Sequence, residues 1–348
     1  MRAMTVEPGQ AGSAAVDEVP DPGDLDGTLL VRGQLVGVCG TYREIAEGVY
    51  GTPPDGERRL VLGHEGLGEV VSEPPGSGFS AGDPVVGIVR RPDPVPCPAC
   101  AAGDWDMCRN GMYTERGIVG RDGYGSELWR LEPDYAIGVP ATLGDLGVLL
   151  EPTSVLAKAW EQVDRISERA FFVPGRALVT GAGPIGLMAA LLGVQRGYEV
   201  HVADHTTGGP KQDLVEALGA HYHSGDAADV DIEAYVVVEC TGAGSVVHAA
   251  GRKLTSGGIM CLTGIMTSSP TLDVDATEMN RAMVLQNAVV FGSVNAGRRH
   301  WHQAARSLAA ADPAWLGGLI TRSVPLADWT TALYREPDDI KVVVNLQA

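Results

Sequence analysis

Residues that could hold a metal ion occur in three separated segments of the first half of the chain. Cys39 and His64 each stand beside glycines, and Glu151 follows a pair of leucines. One thiolate, one imidazole and one carboxylate, with a fourth position open, are the ligand types of a catalytic zinc site. A lone His64 could equally be a structural hydrogen-bonding group. Glu65, beside His64, is the strongest candidate for an alternate or outer ligand.

A second cluster of thiols lies in a proline-rich segment, at Cys97, Cys100 and Cys108. Three thiolates so close together indicate a closed structural zinc site, but tetrahedral zinc requires four ligands. Asp93 is the candidate for the fourth. The alternative is a lobe without metal in which the thiols are simply buried. The remaining two cysteines fall in apolar strand contexts and are assigned to the core: Cys240 and Cys261.

A glycine-rich turn joins a short apolar run to an apolar helix and is typical of a dinucleotide site. It reads Gly181-Ala182-Gly183-Pro184-Ile185-Gly186. The first glycine permits the tight turn, the second lets the backbone approach a pyrophosphate, and the third lets helix pack on strand. Phosphate then lies at the positive helix N-terminus. Without a ligand, the same residues would form an ordinary strand-to-helix turn.

Asp204 ends the next apolar run, 23 residues beyond Gly181. This spacing suits a carboxylate that accepts hydrogen bonds from the adenosine ribose. A carboxylate there repels a 2′-phosphate, and the next three residues contain no arginine to attract one. The sequence therefore favours NAD over NADP, although Asp204 could also be a solvated carboxylate at a strand end.

These residues require two kinds of framework. Up to about residue 150 the chain is rich in glycine, proline and short β-type runs, which predicts a compact β-rich unit. From about residue 156, apolar strands alternate with amphipathic helices, which predicts an α/β fold with a doubly wound parallel sheet. Five strands are expected in that sheet: 176–180, 199–203, 234–238, 258–262 and 288–292. A last apolar run at 340–344 could return to the first domain.

Composition narrows the class of protein. The chain has 348 residues, of which 45% are hydrophobic and 20% charged, so it should fold as two ordinary domains. A net charge of −18 disfavours nucleic acid and anionic membranes as partners. No run has the length of a signal peptide or membrane helix, so a cytoplasmic protein with reduced cysteines is expected.

With these elements located, the sequence resembles the medium-chain dehydrogenase/reductase superfamily, and within it the zinc-dependent glucose dehydrogenases of archaeal type. The most specific stretches are 39–45, 62–65, 111–120, 150–152 and 292–295. The resemblance implies a GroES-like catalytic domain over 1–155, a Rossmann domain over 156–295 and a return to the catalytic domain over 296–348. It also implies a homo-oligomer, either a dimer or a tetramer.

The resemblance further implies roles for individual residues. Zinc would be ligated by Cys39 and His64, with Glu65 and Glu151 coordinating directly or through water, and Thr41 would belong to a proton relay. Glu115 and Asn295 match positions that line the sugar or nicotinamide pocket in that family. Arg90 and Arg91 match an arginine pair of the family.

Two departures from the family pattern stand out. Tyr42 replaces an aspartate that supports the zinc-binding histidine, and loss of such a partner commonly weakens metal affinity or activity by about 10 to 100-fold. Tyr42 could replace that partner or reshape the substrate pocket. The lobe has three cysteines where family members have four, with Pro94 at the place of the first.

The sequence thus predicts a zinc-dependent, NAD(P)-linked dehydrogenase that transfers a hydride between a secondary alcohol of a sugar or cyclitol-like polyol and nicotinamide. One alternative is a zinc-free quinone or enoyl reductase of the same fold, which would not need Cys39, His64 and Glu151 together. The other is a non-catalytic NAD-binding sensor with a decayed metal site, which Tyr42 favours.

Overall fold

The computed structural model describes residues 1–266 and 271–348, which form two compact units. Unit 1 combines Met1–Ser154 with Asn295–Ala348, and unit 2 is Val155–Val294. Unit 1 is therefore discontinuous in sequence. The boundaries expected after residues 155 and 295 differ from these by one residue each. No helix within the described ranges is both long enough and apolar enough to cross a membrane.

Unit 1 is built mainly from β-strands. Its strands are β1 (Arg2–Val6), β2 (Ala15–Glu18), β3 (Leu29–Gly37), β4 (Leu60–Val61), β5 (Glu65–Ser72), β6 (Pro84–Gly87), β7 (Arg90–Arg91), β8 (Thr114–Arg116), β9 (Gly120–Arg121), β10 (Leu128–Leu131), β11 (Ala136–Gly138), and, after unit 2, β18 (Ile320–Pro325) and β19 (Lys341–Asn345). Its helices are α1 (Gly40–Ala46), α2 (Pro98–Ala101), α8 (Arg298–Ala309) and α9 (Pro313–Leu319), with 3₁₀ turns at Trp105–Met107, Pro133–Tyr135, Gly144–Leu149 and Leu326–Leu333.

The main sheet of unit 1 has the order β11-β6-β5-β3-β19-β18, and β10 also pairs with β3. Strand β19 runs antiparallel to β3, with Val343 opposite Gly37. The last strand of the chain therefore completes the sheet that carries the first segments. The apolar run at 340–344, which was expected to return to the first domain, thus contributes a strand of unit 1 beside β3.

Unit 2 is a parallel sheet covered by helices. Its strands are β12 (Arg176–Thr180), β13 (Glu199–Asp204), β14 (His221–Ser224), β15 (Ala234–Glu239), β16 (Leu254–Leu262) and β17 (Val289–Gly292). Its helices are α3 (Leu150–Ser167), which begins in unit 1, α4 (Pro184–Gln195), α5 (Pro210–Ala217), α6 (Gly244–Gly251) and α7 (Ala276–Gln286), with a 3₁₀ turn at Ala227–Asp229.

The strand order β14-β13-β12-β15-β16-β17 reverses direction of winding between β12 and β15, as in a dinucleotide-binding sheet. The predicted fold class is confirmed. The predicted count of five strands was wrong, because β14 is a sixth. Its residues, His221-Tyr222-His223-Ser224, are polar and only partly buried, so hydrophobic periodicity did not indicate a strand there.

Candidate functional site

Cys39, His64 and Glu65 come together in unit 1 and offer ligand atoms that all lie within 4.8 Å of one another. Cys39 is the residue before α1, and Glu65 is the first residue of β5. His64 and Glu65 are buried. The pairing of β3 with β5 brings these segments together, since Gly37 lies opposite Glu65.

The side chains of this cluster fit a bound cation. His64 Nδ1 is buried and has no hydrogen-bond partner among the described residues. Burial, and next the negative charge of Glu65, raise the pKa of the Cys39 thiol. A buried imidazole nitrogen without a hydrogen-bond partner costs free energy, and a metal ion bound to that nitrogen would supply the missing partner. Thiolate, imidazole and carboxylate are ligands that zinc accepts.

Lys341 is a member of this cluster that the sequence did not reveal. Its ammonium forms an ion pair with Glu65 Oε2 and donates a hydrogen bond to Val38 O at 3.1 Å. Both partners of the ion pair are at least 97% buried. A single lysine within the apolar run of β19 was the only sequence signal available. The last strand of unit 1 therefore supplies a positive charge beside the candidate metal ligands.

Glu151 and Thr41 stand around the same cluster. Glu151, at the start of α3, is half-buried; burial raises its pKa to about 8, His64 opposes this, and Glu65 and Cys39 add to it. It is outside the group whose ligand atoms lie within 4.8 Å. The Cys39 thiol donates to Thr41 Oγ1 at 3.7 Å. Glu151 is thus an electrostatic neighbour of the cluster, and Thr41 is in contact with it.

Tyr42 is fully buried in α1, with its ring packed edge-on against the His64 ring at 4.7 Å between centroids. Its hydroxyl accepts hydrogen bonds from the backbone N–H groups of His64, at 2.7 Å, and Glu65, at 3.4 Å. A buried side chain in this position does not fit the predicted contact with substrate. The phenol also leaves His64 Nδ1 unpartnered, so it orients the histidine by packing and through its backbone.

Glu115 and Arg90, which are both buried, form a network with the half-buried Asn295 elsewhere in unit 1. Glu115 Oε1 accepts hydrogen bonds from Arg90 Nε at 3.0 Å and from Asn295 Nδ2 at 2.8 Å. The segment carrying Glu115 packs closely on the segment carrying His64. The closeness is shown at Gly117, where a Cβ would lie 2.7 Å from the Gly63 nitrogen. Glycine is required at this contact. The network thus fixes one segment against the candidate metal ligands.

Arg91 has a separate partner, Glu132, to which its Nη2 donates at 2.8 Å. Arg121 and Arg116 also lie near this carboxylate, at 2.9 Å and 3.6 Å. Burial opposes ionisation, but the hydrogen bond and charge of Arg91, with the charge of Arg116, lower the pKa of Glu132 to about 2. Glu132 therefore holds together the arginines that flank the Glu115 segment.

The thiols of Cys97, Cys100 and Cys108 form a second group whose sulfur atoms lie within 4.8 Å of one another. Backbone N–H groups of Arg109 and Cys100 donate to Cys97 Sγ and lower the pKa of this thiol to about 6. Such N–H···S contacts favour thiolate, the form that binds metal.

Asp93 is not part of the thiol group. Its Oδ1 accepts from the Val95 N–H at 2.7 Å, and its Oδ2 accepts from Asn110 Nδ2 at 2.8 Å. These hydrogen bonds hold the carboxylate in the adjoining loop, outside the group of ligand atoms that lie within 4.8 Å of one another, so Asp93 does not fit the predicted role of fourth ligand. Within the described part of the chain, the three thiols come together without a fourth ligand.

The glycine turn of unit 2 lies between β12 and α4. Gly181 has a φ of +84°, and a Cβ on Gly186 would lie 1.7 Å from the Gly181 carbonyl oxygen, so both positions require glycine. A Cβ on Gly183 would meet nothing within 4 Å, which leaves open space at the start of α4, where Pro184 is followed by Ile185. An open helix N-terminus with glycine at its entrance fits a pyrophosphate.

Asp204 ties this turn to the following loop. Its Oδ2 accepts from the Ala182 N–H at 2.7 Å, and its Oδ1 accepts from the Thr206 N–H at 2.9 Å. The ammonium of Lys211 lies 3.2 Å from Oδ1 and donates also to Thr206 Oγ1. The three residues after Asp204 include no arginine, but Lys211, seven residues on, is a cation that this short stretch does not reveal. A cation thus stands beside the carboxylate that was expected to exclude a 2′-phosphate.

Comparison with known proteins covers both units. Residues 144–346 match a family model described as "Glucose dehydrogenase C-terminus", and residues 25–141 match "Alcohol dehydrogenase GroES-like domain". The chain is 39% identical to the glucose 1-dehydrogenase of Thermoproteus tenax and 37% identical to that of Methanocella arvoryzae, with 100% of each chain covered in both comparisons.

A similar fold is found in a solved structure of glucose dehydrogenase from Haloferax mediterranei in complex with NADP, Zn and gluconolactone. Its TM-score is 0.91 at 33% sequence identity, and 99% of both chains is covered. The resemblance inferred from sequence motifs is thereby confirmed. Because the similarity spans both units from end to end, the chain belongs to the glucose dehydrogenase family of the medium-chain dehydrogenases/reductases.

Proposed function

We propose that this chain is a zinc-dependent, NAD(P)-linked dehydrogenase of a sugar, with glucose or a closely similar polyol as substrate and a sugar lactone as product. The observation that carries the proposal is the convergence of Cys39, His64 and Glu65, with an unpartnered His64 nitrogen. A zinc-free reductase has no use for this cluster. The lactone fits the gluconolactone of the Haloferax mediterranei complex.

In this proposal Cys39 and His64 anchor the zinc, and Glu65 and Glu151 coordinate it directly or through water. Bound zinc supplies Lewis acidity, which lowers the pKa of a hydroxyl group. Lys341 balances the charge of Glu65, and Tyr42 fixes the orientation of His64. The hydroxyl of Thr41, in contact with Cys39, is placed to take part in moving the proton away.

In unit 2 the proposal assigns the pyrophosphate of NAD(P) to the open N-terminus of α4 at Gly183. Asp204 accepts hydrogen bonds from the ribose and favours NAD. Lys211 moderates that preference, since its ammonium can approach a 2′-phosphate when it leaves Asp204. We therefore expect both cofactors to be accepted.

Two further parts of the proposal concern the whole protein. All six cysteines are free, which fits a reducing compartment such as the cytoplasm.

We also propose a homo-oligomer formed through unit 2. Strand β17 is at the edge of its sheet, and helix α7 beside it buries none of its side chains. The exposed large apolar residues of this helix and strand are Met279, Val284, Leu285 and Val290.

A metal assay combined with a substrate panel tests the proposal. Purified protein should contain about two zinc ions per chain if the thiol lobe is occupied and about one if it is not. It should oxidise glucose faster than other sugars, cyclitols and simple alcohols, and chelation should remove the activity. Full turnover in protein shown by elemental analysis to lack metal would contradict the proposal.

A further inference from the structure

A cluster of metal-binding side chains lies on one face of the unit 2 sheet, apart from the cofactor turn. Among the described residues, Glu199, His201 and His221 offer ligand atoms that all lie within 4.8 Å of one another. Glu199 and His201 are two residues apart on β13, so they share a face of the sheet. His221 is the register partner of His201 on β14.

The geometry of these side chains is convergent. His201 Nε2 lies 3.2 Å from Glu199 Oε1, and His221 Nε2 lies 3.9 Å from the same oxygen. The rings of His201 and His221 are stacked, with centroids 4.7 Å apart. Two imidazole nitrogens therefore point towards one carboxylate oxygen. A single ion between them could be reached by all three side chains with small rotations.

A fourth residue, His223, contacts His201 through the ring nitrogen that does not face Glu199. It lies on β14 two residues from His221, and its Nε2 is 2.8 Å from His201 Nδ1. If His201 binds an ion through Nε2, its Nδ1 must carry the proton and donate it to His223. Metal-binding histidines usually donate their second ring N–H in this way, which fixes the tautomer and orients the ring.

We propose that Glu199, His201 and His221 form a site for a borderline transition-metal ion such as Zn²⁺, with His223 as the residue that orients His201. Two imidazoles and a carboxylate suit Zn²⁺, Cu²⁺ or Ni²⁺ better than Mg²⁺ or Ca²⁺. The side chains of His221 and Glu199 are 57% and 55% exposed. Water can therefore enter and complete the coordination.

The position of this site sets its effect. Glu199 begins β13 and Asp204 ends it, so the two ligands on this strand, His201 and Glu199, lie roughly 10 Å and 16 Å from its cofactor end. A bound ion would link β13 to β14, the edge strand of the sheet, and would stabilise the folded form by mass action. Arg176 opposes binding, because it is the register partner of Glu199 and its charge acts on His201. The proposal is independent of the sugar dehydrogenase activity.

Calorimetric titration of the dialysed holoenzyme with ZnCl₂ tests the proposal. We expect one further zinc equivalent beyond those retained on dialysis, accompanied by a rise in Tm. His221→Gln and Glu199→Gln change exposed side chains, so both variants should fold. Each should lower the affinity for the added zinc ion by at least about tenfold. His223→Gln should weaken it by a similar factor. His302→Gln, a change to an exposed histidine of unit 1, is the matched control and should bind as the parent does.

Two further measurements identify the atoms and the charge involved. In ¹H–¹⁵N spectra of the histidine rings, added zinc should shift the ring nitrogens of His201 and His221 and leave those of His302 unchanged. Arg176→Gln should tighten binding severalfold. The proposal would be overturned if no additional zinc ion bound. It would also be overturned if His221→Gln and Glu199→Gln bound the additional zinc ion as the parent does.

Discussion

At the scale of single residues, the thiol of Cys39 is the test of the zinc mechanism. Cys39→Ser exchanges a soft thiolate for a hydroxyl, which zinc binds poorly. Loss of an outer-shell partner already costs about 10 to 100-fold, so loss of this ligand should lower kcat/KM by more than about 100-fold. Elemental analysis should show one zinc fewer per chain, while NAD binding, measured by fluorescence titration, persists.

Cys261→Ser is the control for Cys39→Ser. Cys261 is a buried thiol that lies in β16 of unit 2 and is assigned to the core. The zinc content of the Cys261→Ser variant should match that of the parent. Equal zinc content and turnover in Cys39→Ser and the parent would refute the assignment of Cys39.

The choice between NAD and NADP is also decided by single side chains. Asp204→Asn removes the charge that repels a 2′-phosphate but keeps an acceptor for the Ala182 N–H, so kcat/KM for NADP should rise roughly tenfold and that for NAD should fall. Lys211→Met should lower kcat/KM for NADP by a similar factor and affect NAD less.

Lys253→Met is the matched control for Lys211, because its ammonium binds a backbone carbonyl, that of Ala228. It should leave the ratio of the two kcat/KM values unchanged. If Lys211→Met leaves that ratio unchanged as well, Lys211 has no part in cofactor choice.

At the scale of elements, β19 contributes a charge as well as backbone pairing. Lys341→Met leaves the carboxylate of Glu65 buried without its partner, and this should cost about 3–5 kcal/mol of unfolding free energy in zinc-free protein. In zinc-loaded protein the cost should be smaller, because the ion compensates the same carboxylate. Urea denaturation with and without chelator measures both values.

The double variant Lys341→Met with Glu65→Gln removes both charges and is the control for this ion pair. It should recover most of the lost stability in zinc-free protein. A cost below about 1 kcal/mol for Lys341→Met in zinc-free protein would show that the ion pair contributes little there.

The ion pairs of Glu132 with the arginines beside the Glu115 segment predict a dependence of stability on pH. The pKa of Glu132 is lowered to about 2, so its contribution to stability is complete above the ordinary value of 4.5 and is lost as pH falls towards 2. Glu132→Gln should cost about 1–2 kcal/mol at pH 7, a modest value because 34% of the side chain faces water. The gap between variant and parent, measured in urea at pH 7, 5 and 4, should narrow with acidity. A gap that widens would contradict the prediction.

Elements with strong local signals were predicted well, and elements defined by tertiary contacts were not. The glycine turn and the alternation of strand and helix in unit 2 are written in local sequence, because each depends on neighbouring residues. Strand β14 was missed because its polar residues lie at the sheet edge, where burial imposes no hydrophobic pattern. Lys341 was missed because its partner Glu65 lies 276 residues away in the sequence.

Side-chain direction was the other limit on prediction from sequence. Tyr42 and Asp93 occupy positions close to the expected ligands, but Tyr42 is buried beneath His64 and Asp93 caps its own loop. Spacing in sequence places a residue near a site and says little about where its atoms point. Hydrogen bonds to backbone N–H groups decided the outcome for both residues.

At the scale of the whole molecule, the proposed oligomer predicts a dimer or tetramer in solution. Leu285→Lys places a charge on the exposed face of α7, and burying that charge in an interface should weaken association by at least about tenfold. Light scattering across a concentration series measures this shift. Phe171→Lys, at a residue 96% exposed outside α7 and β17, is the control. A monomeric parent protein would contradict the proposal.

The order in which the chain is synthesised gives the discontinuity of unit 1 a further consequence. On the ribosome, Cys39, His64 and Glu65 emerge before unit 2, and Lys341 emerges only after it. Until β19 pairs with β3, the carboxylate of Glu65 lacks the one ion-pair partner that it has among the described residues, and a free metal ion is a cation that can take that role. A nascent chain able to capture zinc before β19 is synthesised would therefore have its ligands assembled before that strand arrives.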